Sequence, residues 1–97
     1  MSHLDVVLLD SENNVKYSDS IDSIEINSGE TYIFGDFSHD DKICFSVSFE
    51  NIFRIQCEVF DIVDVLVKQQ TLRNGNTNIE NLPESGHMSV EITTPRD

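Results

Sequence analysis

Residues 42–59 read KICFSVSFENIFRIQCEV. Ile43, Phe45, Val47 and Phe49 alternate with Cys44, Ser46, Ser48 and Glu50. After Asn51 the pattern resumes, with Phe53, Ile55, Cys57 and Val59 between Arg54, Gln56 and Glu58. Successive side chains of a strand point to opposite sides, so this period of two predicts two strands, each with one buried face. The short polar break between them predicts a β-hairpin. A two-residue turn at Glu50 and Asn51 would set Val47 opposite Arg54. A longer turn or bulge pairs Phe49 with Phe53, Val47 with Ile55 and Phe45 with Cys57, which builds one apolar face. In that preferred register Cys44 and Cys57 point to opposite faces, so both thiols are expected to stay free and buried.

On the N-terminal side, Leu4 to Leu9 is an apolar run too short for a stable helix and suited to a buried strand. Residues 10–14 (DSENN) form a polar turn, and Val15 to Ser18 return as a second strand. Ile24 and Ile26 flank Glu25 in a further alternation, and residues 27–30 (NSGE) form a turn that Gly29 accommodates. Thr31 to Phe34 is a strand, Gly35 predicts a bulge or bend in it, and Phe37 closes it. Residues 38–41 are the loop into the central pair.

On the C-terminal side, residues 60–72 are ambiguous. Val63, Val65 and Val67 alternate with Asp64, Leu66 and Lys68, and the β-branched residues favour a strand. The competing reading is a helix near 58–72, with Asp61, Asp64 and Lys68 on its polar face and Gly75 ending it. Arg73 to His87 lacks periodicity, contains Gly75, Pro83 and Gly86, and reads as a long loop. Met88, Val90 and Ile92 share one face of a last strand that ends near Thr94. Seven or eight short strands predict an all-β domain, an antiparallel sandwich or barrel spanning residues 1–97; the helical alternative makes it α+β.

The 97 residues carry a net charge of −12, from 18 acids and 6 bases. Residues 1–41 hold ten acids against Lys16 alone, hence −9, whereas residues 65–97 hold four acids and three bases, hence −1. Such a field repels nucleic acid and anionic membranes and attracts basic proteins. No apolar stretch approaches the ~18 residues of a membrane span, and no basic segment followed by an apolar run opens the chain. Two cysteines do not make a disulfide framework. A cytoplasmic protein with reduced thiols is the expectation.

Asp36, His39, Asp40 and Asp41 are the densest set of possible ligands, but they lack the spacing, glycine and terminal glutamate of an EF-hand. A solvated turn is expected there, without metal or cofactor. Cys44 and Cys57 read as packing residues, and Ser46 and Ser48 lie on a polar strand face rather than in a nucleophile turn. No enzymatic activity is expected. The charge instead fits an inhibitor or immunity-type protein, whose carboxylates occupy a basic partner's phosphate positions, as in proteins that mimic DNA or RNA. A nuclease toxin is the expected kind of partner. The expected recognition residues are Asp19, Asp22, Glu25, Glu30, Asp36, Asp40 and Asp41, with Tyr32 and Phe37 as aromatic anchors. Glu80 and Glu84, in the weakly charged third, are expected to contribute less. The alternatives are a small-ligand or Ca²⁺-binding β-sandwich module, or a structural or assembly subunit that pairs through edge strands.

Overall fold

The computed structural model describes residues 3–22, 30–35, 37–50 and 54–93. They form eight strands and no helix: β1 (His3–Leu9), β2 (Val15–Asp22), β3 (Glu30–Gly35), β4 (Lys42–Ser48), β5 (Arg54–Phe60), β6 (Leu66–Leu72), β7 (Gly75–Ile79) and β8 (His87–Thr93). One sheet has the order β2-β1-β4-β7 and the other β3-β8-β5-β6, with every pairing antiparallel. The domain is the expected small β-sandwich. The segments around Ile24–Ile26, most of the 27–30 turn, and residues 51–53 lie outside the described residues.

The alternation of 42–59 marks the buried faces correctly: Ile43, Phe45 and Val47 from β4 and Ile55, Cys57 and Val59 from β5 are all core residues. The expected hairpin is corrected. β4 pairs with β1 and β7, while β5 pairs with β8 and β6, so the two strands belong to different sheets. Alternation reports that one face of a strand is buried. It does not distinguish a neighbour in the same sheet from one across the core. Leu4, Val6 and Leu8 of β1 and Met88, Val90 and Ile92 of β8 fill the same interior.

Cys57 points into that interior and is fully buried, while Cys44 is half-buried on its strand's polar face, beside Val7 and Ser46. Both are free. Burial, with the neighbouring Glu58 charge adding to it, pushes the Cys57 thiol up to about 12. A thiol reagent is therefore expected to modify Cys44 alone in the native protein and both groups after denaturation. Two native equivalents would contradict the burial of Cys57.

Three further expectations change. Residues 60–72 are neither one strand nor a helix: β5 ends at Phe60, residues 61–65 turn, and β6 begins at Leu66. Residues 73–87 contain β7, paired to β4 from Val47↔Gly75 to Ile43↔Ile79. Its inward row is Gly75, half-buried Thr77 and buried Ile79, too weakly apolar to announce a strand. The Asn74 side chain extends this ladder, accepting from the Phe49 N–H (2.8 Å) and donating to the Phe49 carbonyl (3.1 Å). Gly35 introduces no bulge, since the β3–β8 register runs unbroken through Gly35↔His87. The irregularities fall instead at Leu8/Leu9 and Val59/Phe60.

Candidate functional site

Each strand reverses the chain direction, so alternate connections emerge at the same end of the sandwich. In the first sheet Leu9 pairs with Lys42 and Ile43 with Ile79. In the second, Gly35 and Phe60 both pair with His87, and Phe60 pairs with Leu66. The connections at 10–14, 37–41, 61–65 and 80–86 therefore share one end. Two bonds tie the second to the fourth. The Ser85 N–H donates to the Phe37 carbonyl (3.1 Å). His39 Nδ1 lies 2.7 Å from the Leu82 carbonyl, which can only accept, so that nitrogen carries the hydrogen.

These loops bring together Asp10, Glu12, Asp40, Asp41, Asp61, Asp64, Glu80 and Glu84. Asp10, Asn13, His39, Asp40, Lys42 and Glu80 are among the residues lining a cavity of about 230 Å³ between them. The Asp10 carboxylate is itself part of its turn. It accepts from the N–H groups of Glu12 and Asn14, both at 2.9 Å. Those donors, led by the Asn14 N–H, hold its carboxyl below the usual aspartate range.

The expected recognition residues separate in three dimensions. Asp40 is exposed in this loop end. Asp19 is exposed on β2, in mid-strand opposite Val6, and the backbone of Asp22 lies at the far end, opposite His3. Glu30 and Tyr32 belong to β3, paired with Ile92 and Val90. Glu25 and Asp36 lie outside the described residues. Two assignments are corrected. Phe37 is 2% exposed and belongs to the core. Asp41 is 5% exposed: its Oδ2 lies 2.6 Å from Lys16 Nζ and accepts from the Ser38 N–H at 2.7 Å. Asp41 is thus an internal brace of the 38–41 turn, not a surface carboxylate.

The chain's local charge balance missed Glu80 and Glu84, which the structure places in the acidic end rather than in a remote neutral region. It also missed Asp61 and Asp64. The signal for all four is topological, because each falls in a connection that shares its end with Asp10 and Asp40. Among the described residues, no three His, Cys, Asp or Glu side chains converge as a metal site would require.

The β1–β2 and β5–β6 hairpins have the same construction. In each, an Asp carboxylate accepts from the backbone two and four residues on: Asp10 from Glu12 and Asn14, Asp61 from Val63 and Val65, the latter both at 3.0 Å. In each, the Asp N–H donates to the carbonyl four residues on, and the residue three on donates back to the Asp carbonyl. The fourth residue takes a positive φ of 65°, Asn13 in one and Asp64 in the other. Both loops follow a ladder irregularity, at Leu8/Leu9 and Val59/Phe60. Only the side chains differ: Ser11, Glu12 and Asn14 in the first stand where Ile62, Val63 and Val65 stand in the second.

No protein-family model, curated protein or solved structure gives a significant match to the chain. Among the described residues no helix is long and apolar enough to cross a membrane.

Proposed function

We propose that this domain is a protein-binding inhibitor of the immunity type. Its acidic loop end covers the active or nucleic-acid-binding site of a basic partner, such as a nuclease toxin. The observation that carries this reading is the gathering of carboxylates from four separate connections onto one end of the sandwich. Asp40, Glu80 and Glu84 are exposed there and take the positions of substrate phosphates. A field of one sign steers a basic protein into contact and speeds association. The setting is cytoplasmic, consistent with two free thiols.

The test uses a basic nuclease-toxin domain as the captured partner, with nucleic-acid cleavage and biosensor kinetics as readouts. The wild-type protein is expected to block cleavage. The triple variant Asp40→Asn, Glu80→Gln, Glu84→Gln is expected to associate about tenfold more slowly at low salt, with the difference shrinking as salt rises. Asp19→Asn with Glu91→Gln, two exposed carboxylates on strands away from that end, is expected to change the rate less. A rate indifferent to salt and equal for both variants would remove the acidic end as the recognition face.

A further inference from the structure

We propose that the β6 edge of the second sheet is a self-association surface, on which a second copy of this chain pairs its own β6 antiparallel about a two-fold axis. This goes beyond the inhibitor reading and does not depend on it. The two sheets end in four edge strands, β2, β7, β3 and β6. An open edge is a template for another strand, and proteins guard against such pairing with charges or short edges. β2 carries Lys16, Asp19 and Asp22, β3 is six residues long and begins with Glu30, and β7 is only five residues long. β6 is seven residues long with Lys68 as its one charge, half-buried and paired opposite Val59. Next to it stands the largest run of exposed apolar side chains among the described residues: Ile62 73%, Val63 72%, Val65 53%, Leu66 44% and Val67 45%. The matching β1–β2 hairpin shows that the turn does not need them, because the same geometry is built there from Ser11, Glu12 and Asn14. Of the exposed apolar side chains, Val65, Leu66 and Val67 fall within the strip that a second β6 would cover, and their exposure does not serve the fold.

Charge selects the occupant. Residues 61–73 hold Asp61, Asp64, Lys68 and Arg73, two of each sign, on a molecule of net charge −12. Two copies therefore meet with least repulsion along this strip. The strip is also polarised. Asp61 and Asp64 lie at its start and Arg73 at its end, where Arg73 and Arg54 line one cavity just beyond the Ile55↔Leu72 pair. Antiparallel pairing centred on Gln69 sets Leu66 opposite Leu72 and Val67 opposite Thr71 of the other copy. It brings each copy's Arg73 to the other's Val65, next to Asp64. It also sends the two acidic loop ends in opposite directions, whereas parallel pairing would abut them. An antiparallel strand edge is its own complement, so a two-fold axis closes the assembly as a dimer.

Sedimentation equilibrium from micromolar to millimolar protein, at low and high salt, tests this. A reversible dimer is expected that tightens with salt, because screening relieves the repulsion between two acidic molecules while apolar contact persists. Val67→Asp and, separately, Arg73→Asp are each expected to weaken dimerisation by about tenfold or more. Both sites are exposed, and thermal melts will show the monomer fold retained. Val15→Asp, an exposed apolar residue on the β2 edge, is expected to leave the dimer unchanged. Hydrogen exchange of the β6 amides is expected to slow as wild-type concentration rises. A monomer at every concentration and salt would overturn the proposal. So would a dimer indifferent to both β6 variants.

Discussion

Gly86→Ala is expected to lower the stability of the domain by about 3 kcal/mol or more. A Cβ at Gly86 would lie 1.9 Å from the Phe60 carbonyl oxygen, 3.0 Å from the Phe60 carbonyl carbon and 3.1 Å from the Asp61 Cα. All three are backbone atoms, so no rotamer change relieves the clash. Neither chain is free to retreat. Gly86 precedes His87, which pairs with both Gly35 and Phe60 and stacks on the Phe60 ring at 4.8 Å. It follows Ser85, which is bonded to Phe37, and Leu82, which is fully buried. Phe60 in turn leads into the Asp61 turn. Two other glycines calibrate the effect. At Gly75 an added Cβ meets nothing, but φ is 110°, so alanine there pays only backbone strain of ~1–3 kcal/mol. At Gly35 the nearest atom is 3.4 Å away and the cost is smaller still. Urea denaturation of the three variants, compared at constant m-value, is expected to give the order Gly86→Ala, Gly75→Ala, Gly35→Ala. If Gly86→Ala unfolded no earlier than Gly35→Ala, the close passage of the 86 and 60 backbones would be wrong, and with it the joining of two loops of the acidic end.

What the sequence reveals here is which face of each strand is buried, and little of what lies beside it. Ile43, Phe45 and Val47 alternate as clearly as Ile55, Cys57 and Val59, and both sets are core. Whether they meet side by side or across the interior depends on hydrogen bonds that leave no mark on side-chain polarity. Local chemistry misleads at two points. Ile62, Val63 and Val65 imitate a strand while forming a turn, because Asp61 supplies the hydrogen bonds that the turn requires. Gly75 and Thr77 imitate a loop while forming the inner row of β7. Each error matters for the site because it changes the count of reversals. Alternate connections of an antiparallel sandwich share an end, so a missed strand scrambles which loops come together. With β7 and the 61–65 turn restored, Asp10, Asp40, Asp64 and Glu80 fall on the same end. Charge summed along the chain pointed to residues 1–41, where Asp40 and the Asp10 turn do belong to the site. It could not show that Asp41 has its charge met internally, or that Glu80 and Glu84 join the site from the other end of the sequence.

Lys16→Met is expected to destabilise the domain by about 2–3 kcal/mol, more than a surface ion pair would cost. The Asp41 side chain is only 4% exposed, and Lys16 reaches it from β2 with 34% of its own side chain in contact with water. Without Lys16 the carboxylate keeps the Ser38 N–H as its charge-stabilising donor and is otherwise enclosed. A buried charge stripped of its partner costs more than the intact pair contributes, so the penalty reflects desolvation as much as lost attraction. Water reaching the lysine keeps the figure below the ~3–5 kcal/mol of fully buried pairs. A double-mutant cycle separates the terms. Asp41→Asn removes the charge and keeps an acceptor for Ser38, and the double variant Lys16→Met, Asp41→Asn is expected to lose less than the two single losses combined. The cycle also bears on recognition. If Asp41 is internal, Lys16→Met leaves the exposed carboxylates in place, and the folded fraction binds a basic partner at an undiminished rate. If Lys16→Met instead cost no more than ~0.5 kcal/mol, as exposed pairs do, the Asp41 carboxylate would be hydrated. Asp41 would then return to the set of surface acids beside Asp40, and neutralising it should slow partner association as neutralising Asp40 does.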